Sequence, residues 1–157
     1  MMANTAVNEI GSDQLTATNV SKKILVVDDD WMIRKVLSEE LESKGYQVFT
    51  GIDCSQAVSA VREQKPDLIL LDITFPPDVA HGGGAAWDRL SIMVWLRRMD
   101  EARDTPFIII SGADPAMWED RVLAAGAAAF FPKPIDYEEL LLAIHNVLGE
   151  DAGGGPP

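Results

Sequence analysis

Residues 22–30 read KKILVVDDD: a run from Lys23 through Ile24, Leu25 and Val26 to Val27 leads directly into Asp28, Asp29 and Asp30. A strand that is apolar at successive positions, without alternation, is buried on both faces, as happens in a parallel sheet covered by helices. A helix is expected to follow, with Asp30 as its N-cap and Ile33, Val36, Leu37 and Leu41 along one face. Gly45 then sits where a left-handed C′ residue ends such a helix.

The same alternation continues outward from this unit. Residues 46–50 form a short second strand, and Asp53-x-x-Gln56 has the pattern of a capping box for a helix carrying Ala57, Val58, Ala60 and Val61 that stops before Pro66. Residues 67–71 and 107–110 are the third and fourth strands. Asp114-Pro115 opens a helix ending near Gly126, and residues 128–131 make a fifth strand. Asp136-x-x-Glu139 opens a last helix bearing Leu140, Leu141, Ile144 and Leu148. Five β–α units in succession predict an α/β domain with a doubly wound parallel sheet. Residues 1–21 and 149–157 lack periodicity and are expected to be disordered tails around one domain, 22–148.

Composition narrows the function. Twenty-five acidic against 13 basic residues give a formal charge of −12, which disfavours binding to nucleic acid or to an anionic membrane. No apolar run is long enough to span a bilayer, and the N-terminus has no signal-peptide pattern. The single Cys54 fits a reducing, cytoplasmic setting and is expected to be a buried or half-buried thiol.

In a doubly wound sheet, the chemistry lies beyond the carboxyl ends of the strands. Those ends carry Asp28 and Asp29 (strand one), Asp72 (strand three), Ser111 (strand four) and Lys133 (strand five). Carboxylates held together repel unless a cation intervenes, and Mg²⁺, a hard ion that takes oxygen ligands, suits them; no His or Cys cluster favours zinc. Lys133 supplies a point positive charge and Ser111 a hydroxyl donor, so the set is suited to holding an anionic group against Asp72. Attack by Asp72 on phosphorus would give an aspartyl phosphate.

These residues resemble the receiver domain of bacterial two-component response regulators. The matching stretches are KKILVVDDD (22–30), DLILLDITFP (67–76), FIIISGAD (107–114) and AAAFFPKPID (127–136). The resemblance implies a flavodoxin-like (βα)5 fold with strand order 2-1-3-4-5. It places Asp28, Asp29, Asp72 and the backbone carbonyl of Thr74 as Mg²⁺ ligands, and Asp72 as phospho-acceptor. It makes Lys133 the conserved-type lysine, Ser111 and Phe130 the switch pair, and the Lys133–Pro134 bond cis. The implied partners are a histidine kinase or histidine phosphotransfer protein and a downstream protein target, with the chain a monomer or a phosphorylation-promoted dimer. Its only implied activities are its own phosphorylation and dephosphorylation. With no room after Leu148 for an output domain, signalling is expected through protein contact or onward transfer.

Some features depart from the family pattern. Residues 75–87, FPPDVAHGGGAAW, lengthen the segment after Asp72; His81 and the glycines at 82–84 within it read as solvated loop and hinge residues. Phe130 has no hydroxyl, so switching through it can use only ring burial. Asp30 reads as a helix cap more than a metal ligand, and His145 as a surface residue. The stretch from Trp87 to Leu96 is apolar nearly all round, and Trp118 suits either packing or partner contact. Two competing functions are a receiver-like interaction domain that does not use phosphorylation and a haloacid-dehalogenase-type phosphohydrolase using Asp28-x-Asp30. The second lacks a later acidic pair and a cap domain. Positions two beyond Asp72 and Ser111 are Thr74 and Ala113, neither a carboxylate nor an amide able to orient a hydrolytic water. We therefore predict slow loss of a phosphoryl group from Asp72, to be checked by mass over time after removal of the phosphodonor; a half-life of seconds would contradict it.

Overall fold

Five strands, β1 (Lys23–Val27), β2 (Gln47–Gly51), β3 (Leu68–Asp72), β4 (Phe107–Ser111) and β5 (Ala129–Pro132), form one sheet in the computed structural model, which describes residues 21–73 and 90–150. The order is β2-β1-β3-β4-β5 and every neighbouring pair is parallel. This is the doubly wound, flavodoxin-like arrangement expected. The helices are α1 (Trp31–Ser43), α2 (Cys54–Gln64), α3 (Ser91–Arg97), α4 (Pro115–Ala124) and α5 (Tyr137–Leu148), with a short 3-10 turn at Asp100–Ala102. Among the described residues no helix is long and apolar enough to cross a membrane.

The unbroken apolar strands divide their side chains between two core layers. Leu25, Val27, Ile69, Leu71, Phe107 and Ile109 pack with Ala57 and Val61 of α2, Met93 and Leu96 of α3 and Val122 of α4. Their alternates Ile24, Val26, Leu68, Leu70, Ile108 and Ile110 pack with Leu37 and Leu41 of α1 and Leu140 and Ile144 of α5. Burying one such side chain contributes about 1.5–3 kcal/mol. Charged residues therefore have nowhere to go along the strands and collect at their ends.

The helix starts follow the acidic caps expected. Asp30 accepts from the Met32 amide, Asp53 from Gln56, Asp114 from Ala116 and Asp136 from Glu139, each offsetting an amide that the helix leaves unpaired. Gln56 answers by accepting from Ile52, one residue before the cap, at 2.9 Å. Gly45 takes φ +95° just beyond α1, and Lys65 a left-handed φ of +50° before Pro66. The Lys133–Pro134 peptide is cis, as the resemblance implied.

The apolar stretch before Arg97 resolves into an inward half, with Leu90, Ile92, Met93 and Leu96 buried, and an outward pair, Val94 and Trp95. Arg97 then reaches to the turn after α4, donating from Nη2 to the Gly126 carbonyl at 2.8 Å while its guanidinium lies over the Phe107 ring. A side chain at Gly126 would meet that guanidinium, and Gly126 has φ +108°. Cys54 is half-buried as expected. Residues 75–87, including His81 and Gly82 to Gly84, lie outside the described residues, as do 1–20 and 151–157.

Gly149 and Glu150, assigned from sequence to the tail, have defined places. Gly149 caps α5 at φ +73°, and the Tyr46 hydroxyl donates to Glu150 Oε2 at 2.7 Å. His145 is correspondingly half-buried, its Nδ1 3.1 Å from the same oxygen and 3.3 Å from the Tyr46 hydroxyl. Contacts spanning about a hundred positions leave no trace in local sequence. Burial pushes the Tyr46 phenol above its ordinary range, and the Glu150 carboxylate adds to the shift. A raised folded-state value means Tyr46 stabilises fully below the unfolded phenol's titration and loses that contribution as pH rises beyond it. We predict that stability falls as pH climbs past about 10, and that Tyr46→Phe flattens this fall while costing about 0.5–1.5 kcal/mol at neutral pH. Urea denaturation across pH checks both; an unchanged alkaline fall in the variant would sink the assignment.

Candidate functional site

The register of the sheet decides which residues meet. Val27 pairs with Leu71 on one side and Gly51 on the other, so Asp28, the next residue, emerges beside Asp72 at the end of β3. Asp72 pairs with Ile110, and Ser111 with Pro132, which puts Ser111 and Lys133 at the same edge. Asp28, Asp72 and Ser111 are buried, whereas Asp29 is exposed. One carboxylate oxygen from each of Asp28, Asp29 and Asp72 lies within 4.8 Å of the others. All five strand-end candidates are thus brought to one place.

Lys133 ties this cluster together. Its Nζ donates to Asp28 Oδ2 at 2.9 Å and to Asp72 Oδ2 at 3.2 Å. Burial alone would lower the lysine, but the hydrogen bond to Asp28 and the charges of both carboxylates outweigh it and hold its ammonium above the usual range. Burial also raises the Asp28 carboxyl, and the charge of Asp72 adds to this; the Asp30 amide and Lys133 pull the other way without cancelling it. Both groups are thus shifted upward where two buried acids share one lysine in a poorly solvated place.

Asp28 is held at several further points. Its amide donates to the Gly51 carbonyl, its Oδ1 accepts from the Asp30 amide at 2.9 Å and its carbonyl accepts from Arg34 Nη1 at 2.8 Å. The Ser111 hydroxyl oxygen accepts from the Ala113 amide at 3.0 Å, leaving its proton able to point at an anion. Phe130 is packed in the core beside β4. Asp30 turns to the Met32 amide as a cap, so Asp28-x-Asp30 does not form a joint site of the hydrolase kind. Thr74, the expected carbonyl ligand, lies outside the described residues. Trp118 is half-buried on the core with Arg121 stacked 4.4 Å from its ring, which favours packing.

Arg34 was not among the expected site residues. A basic residue early in an amphipathic helix resembles ordinary surface charge. The one available signal was its position, since the first turn of a helix is the unfavourable end for a cation.

Comparison with known proteins agrees with this geometry. The family model of the response regulator receiver domain matches residues 24–145. The chain is 29% identical over 129 residues to the polar-differentiation response regulator DivK of Brucella anthropi, covering 82% of this chain and 98% of that one. It is 31% identical over 129 residues to sporulation initiation phosphotransferase F of Bacillus subtilis, covering 82% and 95%. Among solved structures, the chemotaxis response regulator CheY4 of Vibrio cholerae superposes with a TM-score of 0.68 at 25% identity, covering 82% of this chain and 99% of that one.

The lysine gives a direct test of the electrostatics. Lys133→Met keeps length but leaves two buried carboxylates without their shared cation, and we predict a loss of about 1–3 kcal/mol at pH 7. Because burial shifts the Asp28 carboxyl upward, it takes up a proton more readily as pH falls, so the penalty shrinks toward pH 5. Urea midpoints at the two pH values measure this, and an equal or larger penalty at pH 5 refutes it.

Proposed function

The chain belongs to the response regulator receiver domain family and is a phosphorylation-dependent two-component signalling module, and on that premise we propose that Asp72 is its phospho-acceptor and that Asp28, Asp29 and Asp72 hold Mg²⁺. The observation that carries this reading is the Lys133 ammonium shared between Asp28 and Asp72 at the carboxyl edge of the sheet. The donor set fits the ion: three carboxylates with converging oxygens, one of them solvent-facing, match a cation that prefers oxygen and keeps several waters. The Thr74 carbonyl completes the proposed set. When bound, the ion offsets negative charge on the oxygens of the group being transferred.

The protein's own groups have separable tasks. A carboxylate oxygen of Asp72, at the rigid end of β3, attacks the phosphorus of a phosphorylated histidine on a kinase or phosphotransfer protein. The new O–P bond forms as the P–N bond breaks, and its electron pair leaves on the imidazole nitrogen. Lys133, already 3.2 Å from Asp72, moves its donors to a phosphoryl oxygen as that oxygen arrives. Ser111 donates its free proton to another. The ring of Phe130 follows Ser111, so that loading of the site is read at the surface by a downstream protein, or the phosphoryl group passes to a second histidine. Phosphorylation and dephosphorylation of Asp72 are the only chemistry in this reading; the chain is a signalling module and not a turnover enzyme.

Intact mass after incubation with Mg²⁺ and acetyl phosphate tests the proposal. The expected result is a gain of one phosphoryl group by the native chain, none by Asp72→Asn, and loss of the gain with a chelator. Equal labelling of the variant would move the acceptor elsewhere, and labelling that survives the chelator would remove the metal from the reading.

A further inference from the structure

Asp29 is the weakest-held of the three clustered acids. Asp28 is anchored through both carboxylate oxygens, and Asp72 through Lys133. The Asp29 side chain is exposed and, among the described residues, makes no hydrogen bond or ion pair. Its direction is therefore set by the backbone from which it springs. The peptide plane entering Asp29 is the one that carries the Asp28 carbonyl, and that carbonyl accepts from Arg34 Nη1 at 2.8 Å. With the Asp28 amide bound to Gly51 on the other side, the guanidinium is the contact that holds the plane against rotation.

The position of Arg34 suits this task better than any task on its own helix. Arg34 makes the first backbone hydrogen bond of α1, to the Asp30 carbonyl. Side chains of a helix lean toward its N-terminus, which carries the guanidinium back to a residue six positions earlier. A cation there faces the positive end of the helix dipole, so the placement is explained by what the side chain reaches. It is half-buried, with a stem that packing can hold.

We infer that Arg34 is a positioning residue for the acidic pair: by fixing the Asp28 carbonyl it presents the Asp29 carboxylate to a divalent cation. The inference rests on the proposed Mg²⁺ site, and the two make separable predictions. Two effects of removing Arg34 have opposite signs. As a nearby positive charge, its loss would tighten binding of a cation; as the anchor of Asp29, its loss weakens it. Outer-shell supports of a metal site are typically worth about 10–100-fold in affinity, and anchorage is the effect expected to win.

The test follows the melting temperature of the full chain against MgCl₂ concentration, which yields a dissociation constant from each protein's own metal-free baseline. Arg34→Met, which keeps the stem without a donor, is expected to weaken Mg²⁺ binding about ten-fold. Arg34→Lys, whose ammonium can still donate to the carbonyl, stays near wild type. Arg34→Gln, neutral and too short, matches the Met variant and replaces it should that protein fail to fold. Unchanged or tighter Mg²⁺ binding in the neutral variants, whatever their baseline stability, overturns the inference. A wild-type chain that melts at the same temperature at every MgCl₂ concentration overturns instead the reading of the cluster as a metal site.

Discussion

Three carboxylates gather at the carboxyl edge of the sheet around one lysine that bonds two of them, and the molecule is organised around that imbalance. Like charges within a few ångströms raise one another's proton affinity, and burial sharpens the effect. Burial lifts the Asp28 carboxyl, with the charge of Asp72 adding to it. Against its own burial, the Lys133 ammonium is held up by the hydrogen bond to Asp28 and the charges of both carboxylates. A purely structural domain would replace such a cluster with apolar side chains at little cost or some gain. Here it stands next to the rigid end of a buried strand, short of positive charge, and on the proposed reading a cation and a phosphoryl group complete it.

The rest of the fold holds those charges still. Strands buried on both faces tolerate no polar residue along their length, so Asp72 and Ser111 fall at the last strand positions and are buried there. Parallel register sets Asp28 next to Asp72, and the β4–β5 pairing brings Lys133 across from the far side. Each site residue thus inherits its position from a hydrophobic strand, with two core layers resisting displacement.

Much of this was legible in the chain itself, for physical reasons. Continuous apolar runs have one common explanation in an α/β protein, and acidic caps such as Asp30, Asp53, Asp114 and Asp136 mark helix starts by a local rule. Strand-end acids, the hydroxyl and the lysine could be picked out because the sheet's geometry tells where chemistry gathers. What escaped depends on contacts between distant segments. Tyr46 with His145 and Glu150, and Arg97 with Gly126, arise only after folding. Arg34 escaped for a different reason: its hydrogen bond is to a backbone carbonyl, which no residue identity announces.

Strand β5 has a consequence for how the molecule associates. It lies at one border of the sheet and is only four residues long. Alternate amides are turned inward to β4, as the Ala128 donation to the Phe107 carbonyl shows, which leaves those of Ala129 and Phe131 for the outer edge. An incoming chain seeking to add itself as a sixth strand there finds too few main-chain donors to register against. That border is closed to templated growth, as borders of soluble sheets commonly are. A protein meeting the molecule on this flank is offered side chains of α4 and α5 far more than free backbone, so on the proposed reading its recognition answers to where those helices sit.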